Sequence, residues 1–307
     1  MPEYAIGLDL GGTNLRAAAI DRGGHVLDRV SGSSKMPGGR DALFNDIASA
    51  IETLRERQGR DGLSGIGVAV PGFILLKEGI VVNSNNIPAL EDYPLRDDLE
   101  KRLGAKVILE NDANAAALGE KWMGTGRDVD DLILLTLGTG VGGGIIWGGK
   151  VLHGALGMAG ELGHITVVPN GNPCGCGNHG CLEKHASATA IVAMAKLMGL
   201  GENVTSEDVY NMAMKGDHRA HEIFVSFGRY LGLALATLIN AFNFPLYLLG
   251  GGVLGAWNLF APPMIDEIKQ RSYTFRATNT RVEKAGLGNL SGLYGAAFLP
   301  WAGEMDK

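Results

Sequence analysis

The sequence predicts a duplicated α/β fold, two lobes with a cleft between them. Two observations carry the prediction. Glycine-rich turns follow apolar runs twice, as Asp9-Leu10-Gly11-Gly12-Thr13-Asn14 and as Leu137-Gly138-Thr139-Gly140-Val141-Gly142. Around each turn the pattern restarts: three short strands, then alternating helices and strands. A glycine turn between strands bares backbone N–H groups with no side chain in the way, which suits phosphate oxygens. Two such turns in duplicated halves can approach one phosphate chain from both sides, which points to ATP in a cleft rather than to a dinucleotide fold.

In the first half, strands are expected at Tyr4–Leu10, Leu15–Asp21 and His25–Gly32, with Arg22-Gly23-Gly24 as the hairpin turn. Leu43, Ile47, Ile51 and Leu54 recur at helical spacing, so Asp41–Gln58 reads as an amphipathic helix. Ile66–Val70 is a strand stopped by Pro71-Gly72, Leu95–Leu103 a short helix and Lys106–Glu110 a strand. An alanine-rich helix, Ala113–Met123, follows Asp112.

The second half repeats the triplet as Asp131–Leu137, Gly142–Trp147 and Lys150–His153. A cysteine-bearing insertion runs from about Gly157 to Glu183, and helices fill His185–Phe242. Pro245–Leu249 reads as a strand ending in Gly250-Gly251-Gly252. A helix (Ala256–Arg271), a strand (Arg281–Ala285) and another helix (Leu293–Trp301) close the pattern. The expected lobes are 1–117 plus 293–307, small, and 118–292, large, the latter carrying the insertion at about 157–183.

The chain has 307 residues, enough for two separate cores. Its net charge of −6 argues against nucleic acid as a partner, because phosphate backbones draw basic surfaces. The opening Met1-Pro2-Glu3-Tyr4 lacks a basic segment followed by a long apolar run, and Leu231–Phe242 is too short to span a bilayer. The expectation is a cytoplasmic protein without a membrane partner.

The chain's three cysteines stand close together as Cys174, Cys176 and Cys181. In a reducing setting that spacing suggests metal rather than a disulfide. A structural zinc takes four ligands, and His164, His179 and His185 are the neighbouring candidates for the fourth. Asp9 beside the first glycine turn is placed to orient Mg²⁺, although an aspartate there can also serve only its own turn. Thr13 and Thr139 can add hydroxyl contacts to phosphate. Asp112, between strand and helix, reads either as an N-cap or as a base at the mouth of a cleft.

Asp9-Leu-Gly-Gly-Thr-Asn14, Asn111-Asp-Ala-Asn114, Gly138-Thr-Gly-Val-Gly142, Glu161-Leu-Gly-His164, Cys174-Gly-Cys-Gly-Asn-His-Gly-Cys-Leu-Glu183 and Leu249-Gly-Gly-Gly-Val253 occur in this order. With these motifs the chain resembles the ROK family (repressors, open reading frames and kinases) and, within it, the bacterial glucokinases. The resemblance implies an actin-like, hexokinase-type ATPase fold and transfer of phosphate from ATP to the 6-hydroxyl of glucose. It also implies kinases for fructose, mannose, N-acetylglucosamine or N-acetylmannosamine, and sugar-responsive regulators, as the alternatives.

Residue by residue, the resemblance makes Asp112 the general base. Gly72, Asn85, Asn86, Asn111, Glu161, His164 and Glu183 become sugar contacts. Asp9, Gly11, Gly12, Thr13, Asn14, Gly138, Thr139, Gly140, Gly250, Gly251 and Gly252 take the nucleotide. His164 joins Cys174, Cys176 and Cys181 on a structural Zn²⁺, leaving its second ring nitrogen for a sugar hydroxyl. Many relatives carry tryptophan where this chain has Leu90, which is expected to alter one sugar-side wall. A homodimer is the oligomer that the resemblance implies.

Overall fold

The computed structural model describes residues 3–12, 14–33, 38–84 and 86–303. The first half opens with β1 (Tyr4–Leu10), β2 (Asn14–Asp21) and β3 (Val26–Ser33), followed by α1 (Gly39–Gln58) and β4 (Leu63–Val70). A small hairpin, β5 (Phe73–Leu75) and β6 (Ile80–Asn83), precedes α2 (Leu95–Leu103), β7 (Val107–Asn111) and α3 (Asp112–Trp122). The second half holds β8 (Leu132–Leu137), β9 (Val141–Trp147), β10 (Lys150–Val151), α4 (Ala188–Leu197), α5 (Ser206–Met214) and α6 (His218–Phe242). It continues through β11 (Leu246–Gly250), α7 (Trp257–Arg271), β12 (Arg281–Lys284) and α8 (Ser291–Ala302).

The duplication is written in strand order. One five-stranded sheet runs β3-β2-β1-β4-β7 and the other β10-β9-β8-β11-β12. Counted within each sheet, both orders are third, second, first, fourth, fifth. Strand β1 pairs antiparallel with β2 and parallel with β4, and β8 and β12 both pair parallel with β11.

The chain divides into two compact units: 1–130, 144–160 and 285–307 form unit 1, and 131–143 with 161–284 form unit 2. In unit 1 the period of two along a strand sorts the side chains. Ile6, Leu8 and Leu10 of β1 enter a large aliphatic core with Leu43, Ile47, Ile51 and Leu54 of α1. The opposite face is lined by small residues. A side chain at Gly7 would meet the Leu293 carbonyl at 2.4 Å, and one at Gly67 would meet the Ala296 carbonyl at 1.9 Å. Small residues there let α8 lie directly on β1 and β4, and Gly295 lets it touch α3. Asp9 shares that face with Gly7, as the alternation requires.

In unit 2, α6 packs on α7, α5 and α4. The apolar segment expected at Leu231–Phe242 belongs to this helix of 25 residues, long and apolar enough by length and composition to cross a membrane. Its Phe224, Phe227, Leu231, Leu235 and Ile239 are buried in the fold.

The hairpin β5–β6 is absent from the sequence expectation. Its strands are too short for a periodic signal, and their pairing is secured by a turn in which Gly79 N–H donates to the Leu75 carbonyl at 2.7 Å. Leu90, expected on a sugar-side wall, is instead fully buried in the unit 1 core.

Candidate active site

The unit 1 part begins at the turn after β1. Gly11 N–H donates to the Asn14 carbonyl at 2.8 Å, closing a tight loop around Gly12. A side chain on Gly12 would come 3.4 Å from the Asn86 carbonyl, so Asn86 lies against this turn. Asp9 faces Arg16, its register partner on β2, with Oδ2 3.9 Å from Nη1. Arg16 also donates to the Asn289 carbonyl at 3.1 Å. Burial pushes the Asp9 carboxyl up, and Arg16 pulls it back. Gly292 of α8 leaves room for this carboxylate, since a side chain there would stand 3.1 Å from Oδ1.

At the β7–α3 junction, three consecutive residues divide the work. Glu110 is buried. Asn111 is the N-cap: its Oδ1 accepts from Ala113 N–H at 2.9 Å and Asn114 N–H at 3.2 Å, and its Nδ2 donates to the Gly72 carbonyl at 3.1 Å. Asp112 is the first helical residue, with Oδ1 accepting from Ala113 N–H at 2.9 Å. The capping role that the sequence allowed for Asp112 therefore falls to its neighbour. Gly72, at φ +114°, must be glycine, because a side chain would meet the Asn83 carbonyl at 2.2 Å. Ser84 Oγ donates to the Pro71 carbonyl at 2.6 Å and accepts from Ile87 N–H at 3.2 Å, tying the segment before Asn86 to Gly72. Thr13 and Asn85, both expected in the site, lie outside the described residues.

Unit 2 repeats the turn. Gly138 N–H donates to the Gly140 carbonyl at 3.0 Å, as Gly11 does to Asn14. The start of α4 holds this loop: Ala188 N–H donates to the Gly138 carbonyl at 2.8 Å and Thr189 Oγ1 to the Thr139 carbonyl at 2.7 Å. The Gly250-Gly251-Gly252 turn lies beside it. Gly250 pairs with Thr136 across β11 and β8, and Gly251, at φ +93°, would clash with the Leu137 carbonyl at 2.3 Å if it carried a side chain.

The cysteine insertion forms a compact knot. His164, Cys174, Cys176 and Cys181 bring their four donor atoms within 4.8 Å of one another. His164 Nδ1 is 3.6 Å from Cys174 Sγ, and Cys176 Sγ is 3.6 Å from Cys181 Sγ. Bond lengths of about 2.0–2.3 Å in a tetrahedral zinc site imply donor separations of about 3.5–3.8 Å. The cluster fits zinc. His179 is exposed and pairs across from Pro173, while His185 is buried against Tyr230 at 4.7 Å between ring centroids, so neither joins the cluster.

The rest of the predicted sugar set surrounds this knot. With Nδ1 toward the cysteines, His164 Nε2 lies 3.8 Å from Glu161 Oε2. Glu183 Oε1 lies 3.2 Å from Cys174 Sγ. Its Oε2 fills the space above Gly140, where a side chain would come within 2.7 Å. Unit 2 thus joins the second glycine turn to the metal knot through Glu183. Three residues with a part in the geometry escaped the sequence reading: Ser84, Glu110 and His153. None stands in a recognisable spacing, and only the fold pairs His153 with Glu110.

Residues 5–302 match the family model described as the ROK family. A glucokinase of Halalkalibacterium halodurans is 37% identical, over 96% of this chain and 94% of its own. The ROK hexokinase from Thermus thermophilus superposes with a TM-score of 0.88 at 33% identity, covering 99% of this chain and 100% of that one. The ROK glucokinase from Streptomyces griseus, solved in complex with glucose and AMPPNP, gives a TM-score of 0.80 at 35% identity over 96% and 98% of the two chains. The duplicated sheets, the paired glycine turns and these likenesses agree on the actin-like, hexokinase-type ATPase fold, and the chain belongs to the ROK family.

Proposed function

We propose that this protein is an ATP-dependent hexokinase that phosphorylates glucose at its 6-hydroxyl. The observation that carries the reading is the β7–α3 junction, where Asn111 caps the helix and leaves Asp112, the first helical residue, at the end of the strand without the capping duty. The likeness to glucokinases, one of them solved with glucose and AMPPNP, supports both substrates.

Asp112 accepts the proton of the 6-hydroxyl as that oxygen attacks the γ-phosphorus of ATP. The new O–P bond forms while the bond from the γ-phosphorus to the β-phosphate bridging oxygen breaks, and ADP leaves. Positioning and charge neutralisation carry most of the rate in such transfers. The Gly11-Gly12 and Gly138–Gly140 turns are the phosphate-binding segments of this reading, with the Gly250–Gly252 turn for adenosine. Mg²⁺, bound with ATP, supplies neutralisation of the phosphate charge, and Asp9 is the carboxylate suited to orient it.

On the sugar side, the resemblance supports Gly72, Asn85, Asn86, Asn111, Glu161, His164 and Glu183 as the contacts. Cys174, Cys176, Cys181 and His164 Nδ1 would hold a structural zinc, which would fix the His164 ring and leave Nε2 for a hydroxyl. Resemblance to the family supports a cytoplasmic homodimer. A coupled assay of ATP consumption across a panel of hexoses tests the proposal. Hexose-dependent ADP formation is expected, and its absence with every sugar would overturn it.

A further inference from the structure

Glu110 stands on β7 just before Asn111 and Asp112, and the residue is 3% exposed. Its Oε1 accepts from the Asn111 backbone N–H at 2.9 Å and from Asn114 Nδ2 at 3.1 Å. The other oxygen lies 2.6 Å from His153 Nε2, so that nitrogen carries the proton and donates it. His153 follows β10, and its carbonyl accepts from Ala159 N–H at 3.0 Å, which folds the 153–159 loop over its own backbone. Glu110 therefore grips the last peptide of β7 and the first turn of α3 with one oxygen, and it is anchored by the other to the segment that follows β10.

This geometry exceeds what a helix start needs. Asn111 already caps α3, and it holds Gly72 independently. What Glu110 adds is a fixed orientation of the 110–111 peptide and of Asn114, which flank Asp112 on either side. A buried carboxylate with only neutral donors is costly, whereas a charge-assisted bond to an imidazolium is short and directional.

We propose that Glu110 and His153 are a positioning pair for Asp112, holding the base in line with the attacking hydroxyl without touching the substrate. The inference rests on the kinase reading above. Because the side-chain bonds of Asn111 to α3 and to the Gly72 carbonyl do not involve the pair, loosening it acts on turnover and leaves sugar affinity in place. Misplacement of a reacting group by about 1 Å can cost about 100-fold in rate.

Two variants of similar volume separate the donor from the packing. His153→Met keeps bulk but has no proton to give, and His153→Gln keeps a donor. Steady-state kcat and the KM for glucose are measured on each, with circular dichroism and the thermal midpoint as the check on folding. H153M should lose more than about three-fold in kcat with its KM within about three-fold of wild type, and H153Q should recover to within about three-fold of wild-type kcat. A smaller loss in H153M, a loss confined to KM, or an H153Q protein as slow as a folded H153M would overturn the pair. Should H153M fail to fold, Glu110→Gln serves instead. It retains an oxygen for Asn111 and Asn114 and removes the charge on the bond to His153, and an unchanged kcat there is equally fatal. A wild-type protein with no hexose-dependent ATP turnover removes the kinase reading and the pair with it. An active wild type with an unimpaired H153M removes the pair alone.

Discussion

Asp112 and Asn111 show how adjacent residues at one helix start take different duties. Asn111 satisfies the orphan N–H groups of α3, so substituting its neighbour leaves the cap intact. Asp112→Asn should therefore lower kcat by about 100-fold or more, the scale of lost general-base catalysis, with glucose affinity within a few-fold by calorimetry. Near-wild-type turnover would refute the assignment. His153 supplies a pH prediction. Its bond to Glu110 raises the pKa of the imidazole, against the opposing effect of burial. A folded pKa above the unfolded value, about 6.5, gives stability that is fully present below that pH and is lost as pH rises through the higher folded value. The difference in unfolding free energy between wild type and His153→Gln should thus be larger at about pH 6 than at about pH 9. Denaturant titrations at the two pH values measure it, and a constant difference would count against a charged His153.

Among elements, the metal knot and the second glycine turn make separable claims. Elemental analysis should find about one zinc per chain, and chelation should lower the thermal midpoint, because the binding energy of a structural metal adds to folding stability. Gly140→Ala should leave the fold nearly as stable but raise the KM for glucose, since the added methyl displaces the flexible Glu183 carboxylate rather than backbone. An unchanged KM would show that Glu183 does not meet the sugar. The strands and helices of this site were legible where burial imposes a period: Ile6, Leu8 and Leu10 alternate, and Leu43, Ile47, Ile51 and Leu54 step along one helical face. The cysteine spacing announced a metal but not which histidine completed it, because His164, His179 and His185 are near neighbours in sequence and only the folded loop aims one of them inward. Leu90, where many relatives carry tryptophan, is buried in the unit 1 core on the short turn Pro88–Leu90, a burial that its sequence neighbours alone do not announce. The Glu110–His153 bond was invisible, being a contact between a strand and a loop distant in sequence.

For the whole molecule, the substrate assay carries the sharpest consequence. Glucose should have the highest specificity constant in a hexose panel with ATP as donor. A higher value for fructose or an N-acetylhexosamine would overturn the choice of sugar and leave the kinase reading standing. The two sheets share one strand order, yet their completion differs in time. Helix α8, at Ser291–Ala302, covers β1 and β4, strands that begin at Tyr4 and Leu63. During synthesis the small-residue face of that first sheet, with Gly7, Gly67 and Ala69, stays bare until α8 emerges, whereas most of unit 2 is continuous from 161 to 284 and precedes it. At about 5–20 residues per second, that interval lasts tens of seconds. The nascent chain therefore carries an unfinished first domain through most of its translation, and a ribosome stalled before Ser291 leaves that face open to chaperones and proteases.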